Sequence, residues 1–512
     1  DNSPNGNVGT DPASGTKRFT VTVPDTTNPT ISITSPTNGQ TFTTSTITVS
    51  GTASDNIAVS YVRVRVNGDA WQTATGTTSW STTVTLASGT NTIDAQSIDN
   101  LNNPSTIVSR SVTYQPTAQT NFVTVDRNNA VFMLNDKPFY FAGTNNYWLM
   151  QQRSYGRQSV DDALNAAQAV GIKVIRTWGF ADGYAWTNSG DAAILQESPG
   201  VYREIAFKSM DYVISEASKR NIKLIITLVN AWDDFGGMNQ YVRWAGKSGH
   251  DLFYTDASVK QLYKNYIRDF VNRKNTYTGI LYKDDPTIMA WEIANEARLM
   301  SSSDPTGNTI KNWYQEIAQY IKSVDSNHLV DTGEDGFDIN PIGYNSPNEN
   351  AGYLFGGSEG TSFKANVAIP EIDFGSIHLY PTYWRFSATP SGNNWIKDHT
   401  ILARNAGKPL VVGEYGYSDR NVYQSWLDTV YNENTAGALL WEFNPSSHFR
   451  TPFDIIYPTD ISLVTMLTNH ANSMNSKSGP PPSDTTPPTI LVTHLQTQPT
   501  SAQKVTFTAT AS

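Results

Sequence analysis

Two hydrophobic rhythms divide the chain. Between about residues 28 and 115, apolar and polar positions alternate in short runs such as TITVSGTA, YVRVRVNG and TVTLASGTNTIDAQS, separated by Asn-Gly and Asp-Asn turn signals. Successive side chains of a strand point to opposite faces, so this period of two predicts half-buried strands. Turns every 8–12 residues or so extend the prediction to a β-sandwich. From about 121 to 475, short unbroken apolar runs alternate with amphipathic helical stretches, the pattern of a parallel sheet covered by helices on its faces. The runs are PFYFAGTNNYWL, IKVIRTWGF, KLIITLVNAW, TIMAWEIANE, HLVDTGEDGF, FGSIHLYP, PLVVGEYG and GALLWEFN. The stretch SVDDALNAAQAVG at 159–171 reads as a helix with Ser159 as N-cap, acidic residues in its first turn and Gly171 as its stop. Eight strand–helix units over about 350 residues predict an α/β fold of the (β/α)8 TIM barrel type. A doubly wound open sheet is the alternative, but no Gly-rich phosphate turn follows the first strand.

A repeated phrase marks module boundaries: DTTNPTI at 25–31 returns as DTTPPTI at 484–490. The expected organisation is a tail of a preceding module or linker at 1–24, an all-β immunoglobulin-like sandwich at 25–116, and a barrel at 117–476. A Pro-rich linker at 477–489 and the truncated start of another β-rich module at 490–512 follow. Residues 28–115 resemble bacterial immunoglobulin-like domains, with Trp71 and Trp80 expected as core or edge aromatics of the sandwich. Strung modules, Ser/Thr-rich surfaces and Pro linkers together suggest a secreted or cell-surface, bacterial, monomeric part of a larger chain.

Charge and composition narrow the partners. The net charge is −10, with Lys+Arg 36 against Asp+Glu 46, which argues against nucleic acid. No apolar run reaches the roughly 18–20 residues of a membrane span. Cysteine is absent, which removes disulfides, thiolate catalysis and Cys-based metal sites. The histidines show no metal-ligand spacing, so neither a catalytic metal nor a cofactor is expected. Asp-Asn pairs at 55–56 and 99–100 are read as turns in preference to calcium ligands.

In a barrel, polar residues at the carboxyl ends of strands face the active site. Those ends carry Asn145, Trp148, Arg176, Trp178, Asn230, Trp232, Asn295, Glu296, Glu334, His378, Tyr380, Glu414 and Trp441. Aromatics, amides, carboxylates and one arginine are suited to gripping a neutral polyol and protonating an ether oxygen. Glu296 and Glu414 each end an otherwise apolar strand, and facing carboxylates across a barrel mouth suit glycoside hydrolysis. Taken singly, either glutamate would more often be an ordinary salt-bridge partner; their coincidence with the amides and His-x-Tyr favours the pair. Glu292 reads as a buried structural residue, and Glu442 stays open.

WEIANEAR, HLYPTYW, VVGEYG and GALLWEF resemble the strand-four, six, seven and eight motifs of glycoside hydrolase family 5, and LVNAWDDFGG and GTSFKANVAIPEIDFGSIHLYP resemble its endo-β-1,4-mannanase branch. The resemblance implies a retaining enzyme cleaving internal bonds of mannan, glucomannan or galactomannan, with Glu296 as general acid/base and Glu414 as nucleophile. It further implies that Arg176 and Tyr380 favour the Glu414 carboxylate, Asn295 binds the sugar 2-hydroxyl and His378 supports that subsite. Trp441 would floor the cleavage point, Trp148, Trp232 and Glu334 would touch sugar in the cleft, and Arg298 would reach toward the leaving sugars. Ala297 stands where the family usually has proline, which loosens that loop. A cellulase, an exo-mannosidase and a non-catalytic carbohydrate-binding surface protein are the alternatives.

Overall fold

The computed structural model describes residues 25–42, 46–87, 89–114, 121–151, 156–183, 194–300, 304–341, 349–445 and 452–478. The chain forms two compact units that part between Asn121 and Phe122. The expected module fragments at 1–24 and 490–512 lie outside the described residues, and of the expected linker only Lys477 and Ser478 are described, closing helix Ile461–Lys477.

The first unit is a two-sheet sandwich. One sheet orders Thr30–Ser35, Thr46–Ser54, Ser79–Thr85 and Thr75–Gly76; the other orders Thr41–Phe42, Val108–Tyr114, Gly89–Asp99, Val59–Val66 and Gln72–Thr73. Alternation turns Val62, Val64 and Val66 inward from one strand onto Ile47, Val49 and Trp80 of the facing sheet, and a register irregularity between Val59 and Tyr61 brings Val59 to the same core. Gly51 makes room for Trp80, since an added Cβ would lie 2.4 Å from the indole. Trp71 lies at the edge, its ring covered by the Arg63 and Arg65 guanidinium groups. The Asp-Asn pairs form turns, Asp55 accepting the Ile57 and Ala58 N–H groups and Asp99 those of Leu101 and Asn103. Asp25 joins them, the three carboxylates lying within 4.8 Å of one another.

The second unit is an eight-stranded parallel barrel. Its strands are β1 Phe141–Asn145, β2 Val174–Trp178, β3 Lys223–Thr227, β4 Ile288–Glu292, β5 Leu329–Asp331, β6 Gly375–Leu379, β7 Leu410–Tyr415 and β8 Gly437–Leu440. Ladders join them in the order β5-β4-β3-β2-β1-β8-β7-β6. The β5/β6 seam is bridged by the Asp373 N–H to the Val330 carbonyl at 2.8 Å and the His378 N–H to the Asp335 carbonyl at 3.1 Å. Amphipathic helices wrap the outside; Asn308–Val324 buries Ile310, Trp313, Tyr314, Ile317 and Ile321 at helical spacing. Trp313 and Trp426 are core residues, each stabilising the unit by a few kcal/mol through burial. The first helix runs Arg157–Ala169 with Gly156 as its N-cap, three residues ahead of the expected Ser159, because Gly156 at φ 80 turns the chain into it and Ser159 falls inside the first turn.

Inside the barrel, alternation stacks two layers. Val174, Ile225, Ala290, Leu329, Val411 and Leu439 belong to an apolar floor that Val123 and Phe132 share. Two residues further along four of these strands the same face carries Arg176, Thr227, Glu292 and Asp331, all buried. The catalytic candidates stand on this polar layer.

Candidate active site

A cleft of about 580 Å³ opens over the carboxyl ends of the strands, and Glu296 and Glu414 both line it. Glu414 comes from β7 and is held by two short donors. Arg176 Nη1 donates to its Oε1 and the Tyr380 hydroxyl to its Oε2, each at 2.6 Å. Burial pushes the Glu414 carboxyl above its ordinary value, while His378, Arg176 and Tyr380 oppose that by favouring the carboxylate.

Glu296 follows β4 at φ 53, a left-handed conformation uncommon for a glutamate. The loop is pinned despite Ala297, because the Glu296 N–H reaches the Gly333 carbonyl, and Asn295 exchanges backbone bonds with Val229 and Ala231. Glu296 Oε1 shares a 2.7 Å hydrogen bond with His378 Nδ1, and the Trp232 indole donates to Oε2 at 2.7 Å. Burial raises this carboxyl, but His378, Arg298 and Trp232 outweigh it and hold it below the usual carboxylate range. Burial lowers the His378 imidazole in turn, but Glu414 and Glu296 outweigh that and hold it above its ordinary value. His378 Nδ1 lies 3.7 Å from Glu414 Oε2 and 2.7 Å from Glu296 Oε1. One imidazole nitrogen therefore sits beside an oxygen of each glutamate and ties the two carboxyls into a single site.

Arg176 organises the floor. Its Nε donates to both Glu292 oxygens at 2.9 Å, its Nη2 to Asn295 Oδ1 at 2.7 Å and its Nη1 to Asn145 Oδ1 at 3.0 Å. Asn295 also lines the cleft and donates to Asn230. Trp441 lines the cleft as expected, stacked on Tyr147 with planes 6° apart. Trp232 is 38% exposed beside Glu296, so part of its ring is open to the cleft. Arg298 borders the cleft but is only 6% exposed, stacked between Trp232 and Phe337 and ion-paired with Asp335 and Glu359. Its Nη2 also lies 3.6 Å from Glu296 Oε2. Glu296, Asp335 and His378 gather within 4.8 Å, and the Arg298 guanidinium already supplies a cation there.

Two expected contacts are corrected. Trp148 is fully buried, donating its indole N–H to Asn444; the turn after β1 puts its neighbour Tyr147 in the cleft instead. Glu334 is likewise buried, accepting from Thr332, Thr361 and Asn366, while Asp335 turns toward the site. Tyr147, Asp234, Phe235, Tyr353, Tyr383, Trp384 and Phe453 line the cleft without having been singled out; the loop aromatics carry no periodic signal, though HLYPTYW holds Tyr383 and Trp384. Glu442 is buried near Asp454, and burial raises it well above its ordinary value.

Glu334 carries a stability prediction. Burial pushes it up to about 7, against neutral hydrogen-bond partners. The folded state holds this proton more tightly than the unfolded chain, so the stability it contributes is full below about pH 4.5 and is lost as pH rises to about 7. Glu334→Gln is therefore expected to match the parent near pH 4 and exceed it by about 2–3 kcal/mol near pH 8 in denaturant unfolding. A gap that does not change with pH would refute this.

Comparisons with known proteins agree with this geometry. Residues 120–477 match the model of the GH family 5 β-mannosidase-like family, and residues 29–95 match that of a bacterial Ig domain. The chain is 42% identical to mannan endo-1,4-β-mannosidase 1 of Arabidopsis thaliana, an alignment covering 61% of this chain and 79% of the relative. Among solved structures it is similar to an endo-1,4-β-D-mannanase from Thermotoga petrophila, at 38% identity and TM-score 0.61, covering 65% of this chain and 99% of that one. An endo-1,4-β-mannanase from Rhizomucor miehei gives 36% identity and TM-score 0.62, covering 69% and 99%.

Proposed function

This chain belongs to the GH family 5 β-mannosidase-like family, and from that premise we infer that it is an endo-acting retaining hydrolase of internal β-1,4-mannosidic bonds. The observation that carries the reading is the pair of glutamates bracketed by one imidazole nitrogen, with aromatic faces at Trp441 and Trp232 in the same cleft.

In the first step Glu414 attacks the anomeric carbon as Glu296 gives a proton to the departing glycosidic oxygen. Arg176 and Tyr380 fix the attacking carboxylate. The proton for the leaving group is held at rest in the Glu296–His378 hydrogen bond, on the imidazole side, since the donors around Glu296 favour its carboxylate. A bound sugar chain excludes water from the ion pair and so favours the neutral form, acid on Glu296 and neutral imidazole on His378. In the second step Glu296 takes a proton from water, which attacks the same carbon and frees Glu414. Two displacements on one carbon return the original anomeric configuration.

We place the sandwich at 25–116 and the hydrolase at 117–476, supported by the family matches and the unit boundary. Among the described residues no helix is long and apolar enough to cross a membrane. A polymeric substrate that cannot enter a cell supports secretion or display at the cell surface. Incubation with mannan, glucomannan and carboxymethylcellulose tests the reading. It predicts a rapid fall in viscosity and a ladder of oligosaccharides from the two mannans. Mannose alone would indicate exo action, activity on carboxymethylcellulose a cellulase, and binding without products a lectin.

A further inference from the structure

Beneath the catalytic pair lies a carboxyl group to which the proposed mechanism gives no part. Asp331 ends β5, and in the parallel ladder it is the register partner of Glu292 on β4. Asp331 is fully buried and Glu292 nearly so. Glu292 is richly supplied with donors: Arg176 Nε at 2.9 Å, Arg176 Nη2 at 2.6 Å and the Thr227 hydroxyl at 2.7 Å. Neither Asp331 oxygen receives a hydrogen bond of good geometry among the described residues; the Gly333 N–H lies near, out of alignment.

The charge count is decisive. Arg176 is ion-paired with two buried carboxylates, Glu292 and Glu414. A third anion beside Glu292, with no cation of its own, would carry the full penalty of a buried unpaired charge. Two adjacent buried carboxyls avoid it by keeping one proton between them. Glu292 holds the donors that suit an anion, so the proton belongs to Asp331. Water is kept away by Gly333 at φ +66, whose backbone folds over the pair so closely that an added Cβ would meet the Glu292 carboxyl at 2.5 Å.

We propose that Asp331 is a proton-holding positioning residue: it stays neutral while the enzyme works and donates its hydrogen to Glu292, fixing the carboxylate that clamps Arg176 under Glu414. The groups facing the Asp331–Glu292 pair are Arg176 from β2 and Thr227 from β3, with the buried phenols Tyr263 of helix Ala257–Val271 and Tyr314 of helix Asn308–Val324 near Glu292; Glu414 from β7, with Asn145 and Asn295, occupies the other nitrogens of Arg176, and His378 from β6 is turned to Glu296 and Glu414. Burial first, and Glu292 second, raise the Asp331 carboxyl well above its ordinary value. The role rests on the proposed function, because Arg176 matters here as the support of the Glu414 nucleophile.

Denaturant unfolding of the parent and Asp331→Asn between about pH 5 and 7 tests the proton. The folded parent holds one proton that the unfolded chain releases. Its folding equilibrium constant should therefore fall relative to that of Asp331→Asn by about tenfold per pH unit. A ratio independent of pH would mean that Asp331 is ionised in the folded protein, and would overturn the proposal. Kinetics on a soluble mannan tests the positioning. Asp331→Leu should lower kcat by about a hundredfold with little change in KM, and the isosteric donor of Asp331→Asn should recover most of that loss with the acid limb of kcat/KM unmoved. An Asp331→Asn acid limb displaced by about a unit, or no recovery, would contradict the role. The unfolding measurement needs no substrate. If the parent fails on mannan while the tenfold slope appears, the substrate assignment falls and the neutral Asp331 stands.

Discussion

Glu414→Gln is expected to lose about 10⁴-fold or more in kcat on mannan while keeping its fold and its affinity for oligosaccharide. The reason is chemical more than steric. The amide fills the same space, and its carbonyl oxygen still accepts from Arg176 or Tyr380, each of which lies 2.6 Å from a Glu414 oxygen. What it lacks is the charge and the lone pair that form the ester to the anomeric carbon. Arg176 is not left isolated, since Glu292 continues to pair with it from below. Stability should accordingly move far less than activity, and calorimetric titration should still find the ligand. Retention of substantial turnover would mean that another group attacks.

Glu296→Ala should separate the two chemical steps. On mannan, whose leaving sugar alkoxide must be protonated, kcat should fall by about 10³-fold or more, within the range spanned by loss of a general acid and base. On an aryl mannoside whose phenolate leaves without help, the first step should be largely spared and the glycosyl-enzyme should accumulate, because no base remains to activate water. Azide, small enough for the space vacated by the side chain and needing no deprotonation, should then restore turnover and yield a mannosyl azide of unchanged anomeric configuration. Arg298 keeps Asp335 and Glu359 as partners, so the wall of the cleft should persist. An azide of inverted anomeric configuration from Glu296→Ala would reverse the two assignments.

Much of this was legible from residue types and spacing. Glu296 and Glu414 stand out because each ends an apolar strand, and a barrel sends all eight strand ends to one mouth, where both line the cleft. Arg176, Asn295, His378 and Tyr380 followed from the same rule, and all of them touch the pair directly or through Arg176. The rule failed where backbone geometry leaves the strand. Past Asn145 a turn rotates the chain, and Tyr147 takes the cleft position that strand logic offered to Trp148. In GEDG the left-handed Gly333 redirects two successive acids, sending Glu334 to Asn366 and Asp335 to Arg298. Composition cannot choose between neighbours that differ by one methylene. The resemblance puts Arg298 at the leaving sugars, and in the structure it lines the cleft; its ion pairs with Asp335 and Glu359, residues far along the chain, are not legible in WEIANEAR. Asp331 was invisible as a site residue because HLVDTG reads as an ordinary strand end.

The central claim is that Glu414 forms a covalent bond to the sugar while Glu296 handles the protons. A fluorinated mannoside with a good leaving group, which forms the ester quickly and hydrolyses slowly, tests it by peptide mass spectrometry. The account predicts one added fluoromannosyl mass on the peptide containing Glu414. It also predicts that Glu414→Gln carries no adduct. An adduct on Glu296, or rapid turnover to a product of inverted anomeric configuration with no adduct anywhere, would contradict it.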